Sequence, residues 1–332
     1  MKLFHCSACA NPVHFENFAC VNCNAHLAYE PSSADIVSYG DVPPAGFNVC
    51  ANADQAGCNW LVSDADQTGY CFACRLSSVV PDLSDLANLE HWRRLEAAKR
   101  YFLYGVLFLG LPVISRAQDP QHGLTFELLA DWSADPGDSI MTGHYKGLIT
   151  IDIAEANNPE REARRDALHE PMRTLVGHYR HESGHYYWNV LVERRNLTNQ
   201  ARAVFGDDGQ DYQQALKTYY ANGPIPNWQE QFISAYASCH PQEDFAESWA
   251  HYLHISDSLE TAQCYGITNT PVSKDQLHGI NSFDSMINAW VPLTVSVNAL
   301  NRAMGQPDLY PFILSKPVVD KLRFIHNLIH QQ

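Results

Sequence analysis

The stretch Tyr179-Arg180-His181-Glu182-Ser183-Gly184-His185-Tyr186-Tyr187-Trp188 contains His-Glu-x-x-His, a pattern typical of zinc-dependent hydrolases. On a helix, residues four apart share one face, so His181 and His185 can direct ring nitrogens at one metal ion. Glu182 lies one position round the helix, where it can reach a water molecule beside that metal and act as general base. Apolar residues recur at helical spacing on either side, and Pro171 suits a first helical turn. The stretch therefore predicts a metal-binding helix; the alternative is two histidines that share a face by chance.

A hydrolytic zinc site needs a third protein ligand and an open position for water. The metzincin arrangement is excluded, because Trp188 and Leu191 stand where it requires a glycine and a third histidine. A glutamate on a later helix is the other common solution. Pro241 favours a helix start, and Glu243 and Glu247 lie four apart on that helix. We assign Glu243 as the ligand and Glu247 as the acid that accepts a hydrogen bond from a ligand histidine; the reverse order is the alternative.

Eight of the ten cysteines lie within residues 1–80, most of them in Cys-x-x-Cys pairs. Paired thiolates in a short segment with little apolar sequence are typical of structural four-cysteine zinc sites. Iron is an alternative, because the same rubredoxin-like knuckles hold it. Sequence order predicts one site from Cys6, Cys9, Cys20 and Cys23 and a second from Cys50, Cys58, Cys71 and Cys74, with an interleaved arrangement as the alternative.

Composition narrows the class of partner and the compartment. The formal net charge of −15 over 332 residues argues against nucleic acid, which requires clustered Lys and Arg. The first cysteine precedes any apolar run, so we expect no secretory signal. The most apolar stretch, residues 101–114, is too short to span a bilayer and predicts a buried helix. A cytoplasmic protein with reduced thiols and no membrane partner is expected.

The pattern of elements predicts an α+β protein in two domains. Residues 1–80 form a zinc-ribbon domain, and residues 81–332 form a mainly helical domain with a small sheet. Strands are predicted over 123–132 and 147–153, and helices over 228–238, 282–304 and 317–329. The strand over 147–153 has two interpretations: an ordinary core strand, or a strand that pairs with an extended substrate beside the metal.

These motifs together resemble a bacterial family of uncharacterised proteins that join an N-terminal zinc ribbon to a zinc-binding metallopeptidase domain. The resemblance rests on the ribbon cysteines, Cys58-Asn59-Trp60, residues 140–152, 173–188 and 240–255, and Tyr310-Pro311-Phe312. It implies a zincin fold. The spacing also resembles the gluzincins, notably the lethal-factor-like peptidases, which place a tyrosine seven residues before the ligand glutamate. Tyr236 stands there relative to Glu243, and the resemblance implies that it stabilises the oxyanion.

A zinc-dependent peptidase is therefore the leading hypothesis, with Glu182 as base and a peptide or protein as substrate. One catalytic and two structural zinc ions are expected. A scaffold that binds a protein partner through its zinc ribbons, with an idle zincin domain, is one alternative. A zinc amidase that acts on a non-peptide substrate is another.

Overall fold

The computed structural model describes residues 1–130, 140, 142–168, 174–268 and 279–331. The chain divides into two compact units, Met1–Glu160 and Arg161–Gln332. The first unit contains strands and one long helix, and the second is helical in its described residues. The α+β class is confirmed. Within the described residues, no helix combines the length and apolarity needed to cross a bilayer.

The first unit begins with three antiparallel hairpins, and the cysteines lie in the loops within and beside them. A one-turn helix, α1 (Ala53–Ala56), lies between the strands of the third hairpin. The strands pair in chain order, β1 with β2, β3 with β4 and β5 with β6, and their bounds are β1 Phe4–His5, β2 Pro12–Val13, β3 His26–Glu30, β4 Asp35–Tyr39, β5 Phe47–Val49 and β6 Leu61–Ser63.

A cluster of aromatic side chains connects these hairpins to the long helix α2 (Leu86–Phe108). Tyr29 and Trp60 are buried with ring centroids 4.9 Å apart, and Phe15 contacts Tyr104 of α2 at 5.4 Å. Large aromatic rings dominate the energetics of a small core. The compact unit therefore includes α2 as well as residues 1–80, and a ribbon domain that ends at residue 80 stays a prediction.

A four-stranded sheet completes the first unit in the order β7-β8-β10-β9, with β7 at Ser77–Val79, β8 at Thr125–Leu129, β9 at Gly143–Tyr145 and β10 at Leu148–Asp152. Strand β10 pairs with β8 along its whole length and with β9 over Leu148–Thr150. Its buried residues Ile149 and Ile151 belong to the core. Of the two interpretations of this strand, the structure favours the core strand, because both of its edges already have partners.

Helix α3 (Asn158–Leu168) leads into the second unit, whose further helices are α4 (Leu175–Tyr187), α5 (Thr198–Phe205), α6 (Tyr212–Asn222), α7 (Pro241–Cys264), α8 (Phe283–Ala303) and α9 (Lys316–His330). Helix α7 lies at the centre and packs against α4, α5, α8 and α9. It is buried around most of its circumference, as expected for a helix with neighbours on several sides. A π-helical turn, Trp188–Glu193, continues α4.

Thr174 caps α4 by accepting a hydrogen bond from the Gly177 N–H, and the predicted role of Pro171 lies outside the described residues. The helix predicted over 228–238 is wrong. This segment contains two separate 3-10 turns, Trp228–Glu230 and Tyr236–Ser238. The Ser234 hydroxyl accepts a hydrogen bond from the Ala237 N–H, and this bond starts the second turn separately from the first.

Candidate metal centre

The site depends on an unusually close approach between α4 and α7. A Cβ atom placed on Gly184 would lie 2.7 Å from the Cα of Ala246, closer than real Cβ contacts allow. A further contact joins the two helices, since the indole N–H of Trp249 donates to the Ser183 hydroxyl at 3.1 Å. Small residues at the crossing let the two backbones nearly touch. Side chains one turn away on each helix can therefore meet.

Those neighbouring side chains are the three predicted zinc ligands. The ligand atoms of His181, His185 and Glu243 lie within 4.8 Å of one another. Nε2 of His181 is 3.1 Å from Oε2 of Glu243, and Nε2 of His185 is 3.5 Å from Oε1. Pro241 at the first position of α7 and the His240 side chain, which caps the helix by accepting the Gln242 N–H, place Glu243 in the first turn.

Glu247, one turn later on α7, binds the other nitrogen of His181. Its Oε1 lies 2.6 Å from Nδ1 of that ring, and its Oε2 accepts a hydrogen bond from the Ser234 hydroxyl at 2.6 Å. When the Nδ1–H of a histidine donates to a carboxylate, the tautomer of the ring is fixed and Nε2 keeps a lone pair that can bind a metal ion. The structure thus places Glu243 and Glu247 in the positions that suit a ligand and its supporting acid. The segment before α7 bends, and this bend places Ser234 next to Glu247.

Tyr212 also contacts the site, and sequence reasoning missed it. Its hydroxyl donates to Oε1 of Glu243 at 2.6 Å. Burial, followed by the Glu243 charge, raises the pKa of Tyr212 well above its usual range, so the phenol stays protonated and remains a donor. Tyr212 is the first residue of α6, 31 residues before the glutamate. No periodic spacing connects the two positions, so no signal in the sequence could have found it.

The predicted catalytic side chains Glu182 and Tyr236 lie in the same neighbourhood. Glu182 is 8% exposed, and burial raises its pKa, although the two histidines oppose that shift. A raised pKa makes this carboxylate a stronger base than one in water. The ring of Tyr236 lies 5.8 Å from that of His181, and burial and the Glu243 charge raise the pKa of its phenol well above normal. Tyr236 therefore keeps a proton to donate.

A zinc ion fits these side chains. Oε2 of Glu243 is buried and accepts no hydrogen bond from any described residue, although Nε2 of His181 is only 3.1 Å away. A ring nitrogen and a carboxylate oxygen this close together can share a cation between them. Burial lowers the pKa of His181, but hydrogen bonds and charge from Glu243 and Glu247 hold it well above its usual value. The site thus attracts positive charge, and His2Glu is a set of ligands typical of hydrolytic zinc.

The eight ribbon cysteines gather in two groups of four, in the grouping that follows sequence order, Cys6, Cys9, Cys20 and Cys23 in one and Cys50, Cys58, Cys71 and Cys74 in the other. In each group the sulfur atoms lie within 4.8 Å of one another. All ten cysteines of the chain are free of disulfides. The arrangement fits a tetrahedral metal ion better than it fits separate thiols.

The two groups differ in their exposure. Each Cys-x-x-Cys pair of the first group forms a tight turn that ends on a residue with positive φ, Ala10 or Asn24. This group lies near the surface, with Cys23 exposed. All four cysteines of the second group are buried, and the Cys71 N–H donates to the sulfur of Cys50 at 3.3 Å. Backbone donors of this kind stabilise thiolates and orient them.

Comparisons with known proteins show the family of this chain. The family model described as "Putative zinc-binding metallo-peptidase" matches residues 88–328, and a zinc-ribbon domain model matches residues 3–85. An uncharacterized protein of Mycobacterium bovis and two from Mycobacterium tuberculosis strains are each 40% identical over 333 residues. These alignments cover 100% of this chain and 96% of each relative. No solved structure matches the chain.

The helix crossing predicts the effect of Gly184→Ala. The added methyl group must push α7 away from α4, and an overpacked contact of this kind typically reduces the free energy of unfolding by about 1–3 kcal/mol. Because Glu243 lies one turn from Ala246, we expect zinc affinity to fall together with the melting temperature. Chelator titration and thermal unfolding measure both. Gly40→Ala is the control, since nothing lies within 4 Å of its Cβ position. An unchanged zinc affinity in Gly184→Ala would contradict the proposed crossing constraint.

Proposed function

The chain belongs to the family of putative zinc-binding metallo-peptidases, and on that premise we propose that it hydrolyses peptide bonds with zinc held by His181, His185 and Glu243. One observation carries the proposal. Three ligand atoms of the right types lie within 4.8 Å of one another, and the buried Glu182 is next to His181 on the same helix. A site that only held metal for stability would have no use for a buried base.

Each side chain of the site has a separate role in the proposed reaction. When bound, zinc would act as a Lewis acid that polarises water and the scissile carbonyl. Glu182 takes a proton from the attacking water and delivers it to the leaving amine. Its buried position, which raises its pKa, favours the first of these transfers. Glu247 holds the His181 ring in orientation through Nδ1, and Ser234 holds Glu247.

Tyr236 is proposed to donate its hydroxyl hydrogen to the oxyanion of the transition state. Its ring contacts His181, and its phenol stays protonated for the reasons given above. Tyr212 differs in that its hydroxyl already bonds Glu243. The two phenols therefore have separate roles: Tyr212 supports the ligand Glu243, and Tyr236 acts on the substrate.

The two cysteine groups are proposed to be structural zinc sites of a ribbon domain. Four protein ligands leave no open position for water, so these sites contribute to folding and not to hydrolysis. Iron in the knuckles remains the alternative occupant. Eight thiols gathered for metal, with no disulfide in the chain, suit a reducing compartment, and we propose the cytoplasm.

Metal content gives the first test. We expect three metal ions per chain in wild type, because the described residues contain three groups of ligands. His181→Ala should reduce the count to two, since it removes a ligand from the catalytic site only. Elemental analysis of the purified proteins measures the count and separates zinc from iron. A wild-type count of two, unchanged in His181→Ala, would remove the catalytic site from the proposal.

Glu182→Gln tests the base. The amide has the size of the carboxylate but cannot take a proton, so we expect all three metal ions and the fold to remain while peptide hydrolysis is lost. Cleavage of a random peptide library and metal analysis measure the two properties. Glu230→Gln, an exposed glutamate, is the matched control and should cleave like wild type. Undiminished cleavage by Glu182→Gln would show that another group is the base.

Tyr236→Phe and Tyr212→Phe form a matched pair, since each removes one hydroxyl and keeps the ring. For Tyr236→Phe we expect kcat to fall roughly 10²–10³-fold, the scale for one lost oxyanion donor, with zinc affinity unchanged. For Tyr212→Phe we expect zinc affinity to fall roughly tenfold or more, because Glu243 loses its supporting hydrogen bond. Steady-state kinetics at saturating zinc and chelator titration separate the effects. If the two variants exchange phenotypes, the assigned roles are wrong.

A further inference from the structure

Helix α6 lies beside the metal site and is not part of the buried core. None of its residues is fully buried. Its half-buried positions are 212, 215, 216 and 219, which form one helical face. Tyr212 at the start of that face bonds Glu243, and Tyr219 at its far end contacts Tyr236. Both ends of the face are therefore tied to residues of the site.

A continuous row of rings runs from the metal ligands to the surface of this helix. Ring centroids are 5.8 Å apart for His181 and Tyr236, 5.6 Å for Tyr236 and Tyr219, and 5.7 Å for Tyr219 and Tyr220. The last two contacts are edge-to-face. We call Tyr236, Tyr219 and Tyr220 the tyrosine row. Tyr220 is 62% exposed, so the row extends from the metal ligands to the protein surface.

The chemistry of the row selects one kind of side chain. None of its three members carries a charge, and the only charged residue of α6 is Lys217. Aromatic rings prefer edge-to-face or offset contacts with other rings, and such pairs are stabilising beyond the area that they bury. An extended peptide advances about 3.3 Å per residue. A residue within a few positions of the bond being cut would therefore lie beside the row.

We infer that the tyrosine row is the specificity wall of the site, and that the preferred substrates are peptides with an aromatic residue within a few positions of the scissile bond. This inference rests on the proposed peptidase function and deepens it. The wall is attached to the catalytic centre through Tyr236, which faces the ligands. Tyr212, on the same helix, bonds the ligand Glu243 and so connects α6 to the site.

Two pools of decapeptides test the wall. Both are random at every position except one central residue, and the random positions use only Gly, Ser, Ala, Asp and Lys. One pool has a central Phe and the other a central Ala. We expect zinc-loaded wild type to cleave the Phe pool roughly twofold to tenfold faster, on the scale of one aromatic pair. Mass spectrometry should place the cuts within three residues of Phe.

The variants are Tyr220→Ala and Tyr145→Ala. Both tyrosines are largely exposed, at 62% and 68%, so neither change should disturb folding, and only Tyr220 belongs to the row. We expect Tyr220→Ala to reduce the preference for the Phe pool and Tyr145→Ala to retain it. Measurable but equal cleavage of both pools by wild type, or an unchanged preference in Tyr220→Ala, would overturn the inference.

A binding measurement separates this inference from the proposed function. The Glu182→Gln protein is titrated with each fluorescent pool, and anisotropy reports the affinity without any turnover. Tighter binding of the Phe pool that is lost in the Glu182→Gln, Tyr220→Ala double variant supports the wall, even if wild type cleaves neither pool and the peptidase function fails. Equal affinity for the two pools overturns the wall, even if wild type cleaves peptides.

Discussion

The contact of Gly184 with Ala246 is the constraint on which the site depends. Two helices whose backbones nearly touch can share one small volume between their side chains, and that volume holds His181, His185 and Glu243. Helix axes are usually 8–10 Å apart, according to the side chains between them. A larger residue at either position would increase the separation. The identity of two small residues, which carry no chemistry themselves, thus decides whether three ligands can converge.

The first turns of α7 also carry several buried carboxylates, and residues of other elements neutralise their charge. Glu243, Asp244 and Glu247 all lie in its first two turns, where the helix dipole favours negative charge. Asp244 forms an ion pair with Lys321 of α9 at 2.6 Å. The same ammonium group donates to the Gln231 carbonyl at 2.7 Å, so it also fixes the segment that carries Ser234 and Tyr236. Unpaired, these carboxylates would destabilise the core by several kcal/mol.

The parts of the site that could be predicted from the sequence are those that obey helical periodicity. His181 and His185, and likewise Glu243 and Glu247, are four residues apart, and that spacing alone places each pair on one face. The cysteine groups could be predicted because six of the eight cysteines lie in local Cys-x-x-Cys pairs. The α+β class followed from a cysteine-rich N-terminal part and strand patterns that come before a mainly helical part. The long helices over 282–304 and 317–329 matched the structure within about one residue at each end, since their apolar spacing is regular.

What the sequence could not show depends on contacts between segments without periodicity. Tyr212 and Ser234 reach their acids from a helix start and a bend, and the 228–238 segment has helix-forming residues but is broken by the hydrogen bonds of one serine. The interior position of β10 was equally invisible, because a strand does not reveal how many neighbours it has. These omissions share one physical cause. Local helix geometry positions a ligand, but the groups that hydrogen-bond to it come from segments that are distant in sequence. Helix α6 is an example, because one phenol and the tyrosine row connect it to the metal site.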